Sequence, residues 1–575
     1  MRKFRYIGVA VLVAAALTTA ACSASSGGNS GEGSGAAKLV SGPLNTVNTG
    51  TAKAGGSVTY VIERNIVDWN PLGDDTLVET QRIADVFDPS TFYALPDLKT
   101  IQMNTDLLIS ATETSTSPET IVYKINPKAV WSNGSPITVD DFKYTWATSD
   151  PRQCPKCTTT STTGYDQIKS IDGSDNGDTV TVVFDSPFGD WKSLFSPILP
   201  VSVAKTLGDD GTPAGMAKSF NDGFRYSTGF PNWSGGPFII TSWQNNQAAT
   251  LEPNPKWWGK KPTLSKLNFR VITDTTQEVP ALANGEVQVI NPQPQVDLLK
   301  NVQALSGVNY QIGTGLQTQS ISMNLKHPAM ANTALRSALY TAYDVKQVIS
   351  KTVAQFDNAI VPLRSRLYVP QQSPSYEDNL GDLGTGNITK AKADLSAAGY
   401  TVKSGKLYDP SGKVVPTLVM RYTQGNQIQE TESELFAAAA KQINIDVDVQ
   451  STDSLGATLT HQAGKDYDIV ASAFFATPFT ASNSAQLYMT GAGLNFGGYS
   501  DTAVDALYKQ ALANSDPTQV ATLMNQADKL MTKAAYEIPL YQMPALIAYK
   551  SNLVNVRNNP TYFGSTYNAG EWGVK

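Results

Sequence analysis

Three cysteines and two histidines are the residues of this chain best suited to redox, metal or nucleophilic chemistry. Cys154 and Cys157 form a C-x-x-C pair in a loop rich in Thr, Ser and Gly, and such a pair can be redox-active, bind zinc or form a local disulfide. Zinc normally takes four ligands, and the sequence has no second Cys/His cluster. A thioredoxin-type site would need a strand-to-helix junction. For an exported chain the pattern favours a disulfide between Cys154 and Cys157.

The histidines give no support to catalysis. His327 precedes Pro328 in a polar turn, and His461 lies in a Thr-His-Gln-Ala-Gly loop. Neither stands in a nucleophile–base motif. A pair of carboxylates could hydrolyse a glycoside, but no feature selects one pair from 50 acidic residues. We therefore predict no catalytic residues, no metal, no cofactor and no enzymatic activity.

The N-terminus has the three parts of an export signal. Arg2, Lys3 and Arg5 form a positive region, residues 7–17 are apolar or small, and small residues lead to Cys22. The apolar run is too short to span a membrane, which takes about 20 residues. The sequence predicts a signal peptide over residues 1–21.

A cysteine that follows small residues resembles a bacterial lipobox. By that resemblance Cys22 is diacylated and anchors the chain to the outer face of the cytoplasmic membrane. Thr19 stands where lipoboxes prefer Leu, and ordinary cleavage is the alternative. The Gly/Ser-rich stretch that follows cannot pack a core, so residues 22–54 are predicted to be the lipidated cysteine and a flexible tether.

Composition bounds the class of protein. The 575 residues carry 44 basic and 50 acidic side chains, for a net charge of -6, and 41% are hydrophobic. Nucleic-acid binding needs clustered Lys and Arg, and no dense basic run follows the N-terminus. A chain of this length predicts two to four lobes.

Alternating strands and helices must position whatever site the chain holds. Residues 57–62 alternate as a strand after Gly55-Gly56, and from residue 266 onward strand and helix patterns alternate. Residues 308–312 read as extended, and residues 331–350 place apolar side chains on one helical face. Gly235-Gly236-Pro237 is predicted to be a turn, in which the glycines would allow a positive φ. The pattern predicts a mixed α/β protein with at least two α/β lobes.

Several segments, taken together and in order, resemble the extracytoplasmic solute-binding proteins of peptide-type ABC transporters, the oligopeptide/dipeptide-binding family. The most specific is residues 130–142, VWSNGSPITVDDF, which is similar to the family's WSDGTPVTADDF. The other segments are GGSVTYVI (55–62), DWNP (68–71), GGPF (235–238), NPKWW (254–258), MNLK (323–326) with LRSAL (335–339), AAGY (397–400), DYDI (466–469) and IPLY (538–541).

The resemblance implies a two-lobed periplasmic-binding-protein clamp with an additional inserted α+β domain. We expect lobe one to comprise residues 55–88, 190–315 and 541–575, the insert residues 89–189, and lobe two residues 316–540. Such proteins trap a solute between lobes that close by hinge motion.

The resemblance also implies where a ligand binds. A peptide backbone would pair with the segment after the DWNP turn and with the segment after the DYDI strand. Many members carry a Trp and then an Asp in the second segment, and the Asp holds the peptide's amino terminus; here Phe474 and Thr477 stand near those positions, so that anchor is missing. The predicted ligand-binding residues are Asp74, Asp75, Thr76, Leu77, Ala473, Phe474, Phe475 and Thr477.

Several functions remain open at this point. The favoured one is a monomeric receptor that delivers an oligopeptide to an ABC permease and its ATPase. A non-peptide solute, such as an oligosaccharide or a glycolipid headgroup, is the first alternative. A non-transport role in the envelope or in signalling on the same fold is the second.

Overall fold

A computed structural model describes residues 36–225, 229–452, 455, 458–459 and 467–575. The predicted signal peptide, Cys22 and His461 lie outside the described residues. Within them, no helix has both the length and the apolar character needed to cross a membrane.

The strands range from two to sixteen residues, and two of them are far longer than the rest. In chain order the strands are Lys38–Leu39, Ser57–Ile62, Phe92–Ala94, Ile101–Met103, Leu108–Thr116, Glu119–Ile125, Ile168–Ser174, Thr179–Phe184, Phe238–Gln244, Ala248–Pro253, Lys266–Val271, Val289–Ile290, Val308–Met323, Thr401–Lys403, Lys406–Tyr408, Leu418–Thr423, Val447–Thr452, Ile469–Phe475, Glu537–Lys550, Leu553–Val554 and Gly573–Val574.

The α-helices are mostly short and many begin at a polar capping residue. Asp516, for example, accepts a hydrogen bond from the backbone of Thr518, with Pro517 in the first turn. The helices are Val78–Ala84, Val139–Ser149, Val201–Thr206, Pro213–Ala217, Glu278–Asn284, Val296–Gln303, Thr333–Ala342, Val345–Lys351, Ile388–Ala397, Gln427–Gln442, Thr480–Tyr488, Thr502–Leu512 and Pro517–Ala534.

One mixed sheet of eleven strands runs through both lobes. Its centre is the antiparallel pair Val308–Met323 and Glu537–Lys550, which we name the crossing strands. Beside Glu537–Lys550 the sheet continues with Val289–Ile290 and then Ser57–Ile62. Beside Val308–Met323 it continues with Ile469–Phe475 and then Leu418–Thr423. The crossing strands therefore connect two halves of the sheet.

The register between the crossing strands shifts at two places, and the larger shift, which we name the break, lies between Thr314 and Thr318; the smaller one follows between Gln319 and Ser320. Thr314 pairs with Pro544 and Thr318 pairs with Gln542, so residues 315–317 lie opposite Met543 alone. Extra residues on one strand break the regular pairing and bend the strand. The predicted lobe boundaries at 315/316 and 540/541 fall in this break or within three residues of it; they stay a prediction.

Separate hydrophobic cores lie on the two sides of the break. One includes Leu335, Phe436 and Ile538, and a neighbouring cluster packs the helices Thr502–Leu512 and Pro517–Ala534. On the other side, Val61 and Leu546 belong to a core with the helix Glu278–Asn284. Two cores joined by a broken ladder form the two-lobed α/β fold that the resemblance implied.

The predicted insert carries its own four-stranded antiparallel sheet, made of the strands between Leu108 and Phe184. Trp131 and Phe142 are buried in one cluster with Ile121 and Tyr123 of this sheet. Its core is not separate, because Ile121 and Tyr123 belong to the same buried cluster as Tyr60 and Phe269 of the main sheet.

The structure differs from the sequence-based predictions at three places. The predicted helix 331–350 is two helices, because the side chain of Asp344 accepts from the backbones of Lys346 and Gln347 and starts a second one. Neither Gly235 nor Gly236 has a positive φ; a Cβ on Gly236 would lie 2.6 Å from the Val86 carbonyl oxygen, so close approach requires glycine there. The extended segment 308–312 continues to Met323.

Candidate functional site

A cavity of about 560 Å3 lies beside the break in the crossing strands. Gly315, Gln317 and Met543 of those strands form part of its wall. Predicted lobe one contributes most of the remaining residues, and predicted lobe two contributes Thr423 and Phe475. The lobe-one residues are Tyr60, Val61, Ile62, Glu63, Arg64, Val78, Glu79, Arg82, Asn291, Pro292, Gln293, Pro294, Pro544, Ala545, Leu546, Asn558, Asn559, Pro560 and Thr561.

The carboxyl ends of parallel strands face this cavity from both sides. Ser57–Ile62 pairs in parallel with Val289–Ile290, and the residues that follow each strand line the wall. Leu418–Thr423 and Ile469–Phe475 are also parallel, and the last residue of each, Thr423 or Phe475, lines it too. Ligands of open α/β sheets bind at this end of the strands. The cavity therefore has the position expected of a ligand cleft.

Acidic side chains dominate one part of the lobe-one wall. Glu79 is 7% exposed and accepts from Nε of Arg64 at 3.0 Å. Burial raises the pKa of Glu63 to about 7, repulsion from Glu79 adds to the rise, and Arg64 opposes it. At neutral pH Glu63 is therefore divided between its protonated and ionised forms.

A further carboxyl group lies behind this wall. Glu278, the first residue of the helix Glu278–Asn284, is fully buried, and neither carboxyl oxygen has a hydrogen-bond partner among the described residues. Burial raises its pKa to about 9, with repulsion from Glu63 adding to the rise. Glu278 is therefore neutral at pH 7, because an ionised carboxylate without a partner is costly to bury.

Arg82 brings a positive charge to the same wall. Its Nη1 donates to the Tyr562 carbonyl oxygen at 2.8 Å. A Cβ on Gly564 would overlap the guanidinium, so the glycine allows the arginine side chain to lie against the backbone. Lobe one thus offers the cleft carboxyl groups and guanidinium groups side by side.

The predicted residues of the first ligand segment lie outside the cavity wall. The backbone N–H of Asp74 donates to the Thr158 carbonyl oxygen at 2.9 Å, and Asp75 forms an ion pair with Arg225. Thr76 donates to the Gly73 carbonyl, and Leu77 precedes the helix Val78–Ala84. These residues hold the loop against the insert, and the next helical turn, with Val78 and Glu79, reaches the cleft.

The second ligand segment is divided. Phe475 lines the cleft and is 38% exposed, whereas Phe474 and Thr477 are absent from the cleft wall; all three line a second, much smaller cavity. Ala473 pairs with Gln319 in the ladder. The pairing between Ile469–Phe475 and Leu418–Thr423 ends at Arg421 and Val470, so these parallel strands separate before they reach the cleft.

Sequence reasoning missed Glu63, Arg64, Arg82 and Glu278. A signal was present for the first two, because they follow directly after the strand predicted at 57–62, and residues at the carboxyl end of such a strand are candidates for ligand contact. Arg82 and Glu278 carried no comparable signal, since their roles depend on the packing of helices that the sequence only outlines.

Cys154 and Cys157 are joined by a disulfide in the structure, and Cys154 is buried. The loop that they close precedes Thr158, the partner of Asp74. Among the described residues, no group of three or more His, Cys, Asp or Glu side chains could hold a metal ion.

Comparison with known proteins identifies the family. Residues 103–496, more than half of the chain, match the family described as bacterial extracellular solute-binding proteins, family 5, middle region. The chain is 27% identical over 475 residues to the oligopeptide-binding protein OppA of Mycobacterium tuberculosis, which covers 81% of this chain and 76% of that protein.

Two solved structures share the fold. The periplasmic EDTA-binding protein EppA is 35% identical, with a TM-score of 0.88, over 93% of this chain and 99% of its own. The oligopeptide-binding protein AppA of Bacillus subtilis, solved in complex with a nonapeptide, has a TM-score of 0.75 at 20% identity, over 91% of this chain and 100% of its own. The resemblance inferred from the motifs is confirmed: the chain belongs to family 5 of the bacterial extracellular solute-binding proteins.

Proposed function

We propose that this protein captures an oligopeptide between its two lobes and delivers it to the permease of an ABC importer. The observation that carries the proposal is the cavity at the break in the crossing strands, which is lined from both lobes by the carboxyl ends of parallel strands. The similarity to OppA supports a peptide as the solute.

The mechanism is a population shift. A ligand stabilises the closed form only through contacts that it makes in that form and not in the open one. The break at residues 315–317 is the proposed hinge, because the ladder that stiffens the crossing strands is interrupted there. Lobe one supplies charged groups and lobe two supplies Phe475 and Thr423, so a peptide that touches both favours closure.

The lobe-one charges replace the missing amine anchor in this proposal. Glu63 lines the cleft and can be ionised by a nearby cation, which makes it a partner for a ligand ammonium group. Arg64 and Arg82 are partners for carboxylates. A zwitterionic peptide meets both kinds of group on one wall.

Calorimetry with the full-length protein in detergent tests the solute class. A random tetrapeptide pool should release heat, and an oligosaccharide panel should not. Glu63→Gln should weaken binding of the pool about tenfold. N-acetylation of the peptides removes the ammonium group that Glu63 would bind, so it should weaken binding to the wild-type protein by the same factor. Heat from the sugars alone would refute the peptide assignment.

A polycarboxylate chelate is the second candidate, because the 35% identical relative is named as an EDTA-binding protein. Arg64 and Arg82 would then be the main ligand contacts and Glu63 would oppose binding. Titration with magnesium-EDTA distinguishes the two: a chelate receptor binds it more weakly after Arg82→Gln and at least as tightly after Glu63→Gln.

We further propose that Cys22 is lipidated and holds a monomeric protein at the outer face of the cytoplasmic membrane. Cys22→Ser should release the protein into the soluble fraction, with the wild type as the membrane-bound control.

The proposed Cys154–Cys157 disulfide is checked on the same samples by alkylation and mass spectrometry. Two extra alkyl groups should appear only after reduction.

A further inference from the structure

A second cavity, of about 360 Å3, lies outside the cleft. Its wall is built from segments that are distant in the sequence: residues 85–90 after the helix Val78–Ala84, the start of the predicted insert, the Gly235–Pro237 turn, a loop with Trp257 and Lys260, and the C-terminal segment from Arg557 to Glu571. Its volume falls within the range of small-molecule sites. Nothing in the proposed transport mechanism uses it.

Hydrogen bonds fix two of these segments side by side. Asn104 donates through its backbone to the Thr91 carbonyl and through its side chain to the Ser90 carbonyl, both at 2.9 Å. Its side-chain oxygen accepts from the backbone of Asp106. Asp106 is thereby placed on the same wall as Asp88, Pro89 and Ser90.

Asp88 is the feature of this wall that points to a ligand. It is 4% exposed, and its Oδ1 accepts from Nε1 of Trp233 at 3.1 Å. Its Oδ2 has no hydrogen-bond partner among the described residues. A buried carboxyl oxygen without a partner is unfavourable, so its place in the wall of a cavity calls for an explanation.

Acidic groups outnumber basic ones around the cavity. Arg557 already binds the Val47 carbonyl, Thr49 and Glu571, so its charge is largely satisfied. Burial raises the pKa of Asp85 to about 7 against the opposing effect of Arg82, and raises that of Asp106 as well. The charged residues that line the cavity are Asp85, Asp88, Asp106, Lys260, Arg557 and Glu571.

Aromatic rings form another part of the wall. Tyr93 contacts Phe563 and Tyr567 with ring centroids 6.5 Å and 6.3 Å apart, and all three rings border the cavity. Trp257 borders it from the opposite loop, with its Nε1 bound to the Lys260 carbonyl. Carboxylates together with aromatic faces are the surroundings that an organic cation prefers.

We infer that this cavity is a second binding site, for a small organic ammonium ion whose cationic group is held by Asp88 and whose stem packs on Tyr93 and Trp257. The inference does not rest on the nature of the ligand in the cleft. Entry of the cation would ionise Asp88, whose pKa burial holds well above its usual range, so binding should release a proton.

Titration calorimetry of the full-length protein with 1,4-diaminobutane tests the inference. The diamine should bind, whereas 1,4-butanediol and succinate, of similar length but neutral or anionic, should not. The measured heat should depend on the ionisation enthalpy of the buffer, because a proton is released. Equal binding of the diol, or no binding of the diamine at millimolar concentration, would overturn the inference.

Variants separate this site from the cleft. Asp88→Asn should weaken diamine binding at least tenfold while leaving the melting temperature unchanged, because an amide is nearly isosteric with a neutral carboxyl group. Trp257→Ala, on a partly exposed loop, should weaken binding several-fold. Glu63→Gln in the cleft should leave diamine binding at the wild-type level. Loss of binding in Glu63→Gln alone would place the diamine in the cleft and refute the second site.

Discussion

Buried carboxyl groups near the cleft decide how this protein responds to pH. Glu278 is fully enclosed and Glu63 lines the cavity; burial raises the pKa of both, and repulsion from Glu63 raises that of Glu278 further. The sequence shows both residues but not their burial, so neither pKa could be predicted from it. The consequence is a protein that holds extra protons in its folded state at neutral pH.

Stability should therefore fall as pH rises. The folded state keeps the Glu278 proton up to pH about 9, whereas the unfolded chain releases it near 4.5. Between these values folding takes up a proton, so the free energy of unfolding decreases with increasing pH. In Glu278→Gln that decrease between pH 5 and pH 8 should be smaller by up to about 4 kcal/mol, since one proton contributes about 1.4 kcal/mol per pH unit.

Urea denaturation at the two pH values measures this difference. Glu252→Gln is the matched control, since the Glu252 side chain is 46% exposed and pairs with Lys266. It should follow the wild type at both values. A Glu278→Gln profile parallel to that of the wild type would contradict the assignment.

Phe475 was chosen from the family resemblance, and it is the member of its segment that reaches the cleft. Truncation in Phe475→Ala should weaken binding of the tetrapeptide pool about tenfold, because the aromatic surface would no longer be buried by the closed ligand complex. Calorimetry measures the change. Val361→Ala, at a residue that is 55% exposed and outside the cleft wall, should bind as the wild type does; equal losses in both would contradict a specific contact.

At the scale of elements, the crossing strands offer a matched pair of glycines. A Cβ on Gly315 would lie 2.8 Å from both Cβ and the carbonyl oxygen of Pro560, whereas a Cβ on Gly313 would meet nothing within 4 Å. Gly315→Ala should cost about 1–3 kcal/mol of stability and weaken ligand binding, since Gly315 and Pro560 both line the cleft. Gly313→Ala should stay within about 0.5 kcal/mol of the wild type.

Thermal melts and calorimetry on both alanine variants make the test. If Gly313→Ala were as damaging as Gly315→Ala, general strand propensity would be responsible and not the close approach at the break. A strong loss confined to Gly315→Ala would locate the effect beside the proposed hinge.

Periodicity predicted some elements, and tertiary pairing decided others. The strand predicted at 57–62 from its alternating side chains is found with those bounds. The sixteen-residue strand Val308–Met323 could be recognised only in its first five residues, because its remainder gains its extended form from partners as distant as Gln542 and Phe475. The first ligand segment lies outside the cavity wall, with Asp75 in an ion pair with the distant Arg225, and its ligand contacts stay a prediction.

At the scale of the whole molecule, ligand binding should change the shape. If a tetrapeptide bridges the two lobes, small-angle X-ray scattering should give a smaller radius of gyration with saturating peptide than without it. A sugar that releases no heat serves as the control solute. Identical scattering with and without a bound peptide would contradict closure about the crossing strands.

The shared core of the insert and the main sheet has a consequence for how such receptors can diversify. Ile121 and Tyr123 belong to one buried cluster with Tyr60 and Phe269, so a gene rearrangement that excised the predicted insert, residues 89–189, would expose apolar side chains of that cluster to water. We expect the shortened chain to be less stable than the whole protein, because burial of apolar surface favours folding. Exchange of this segment between relatives would therefore need compensating substitutions in the rest of the cluster.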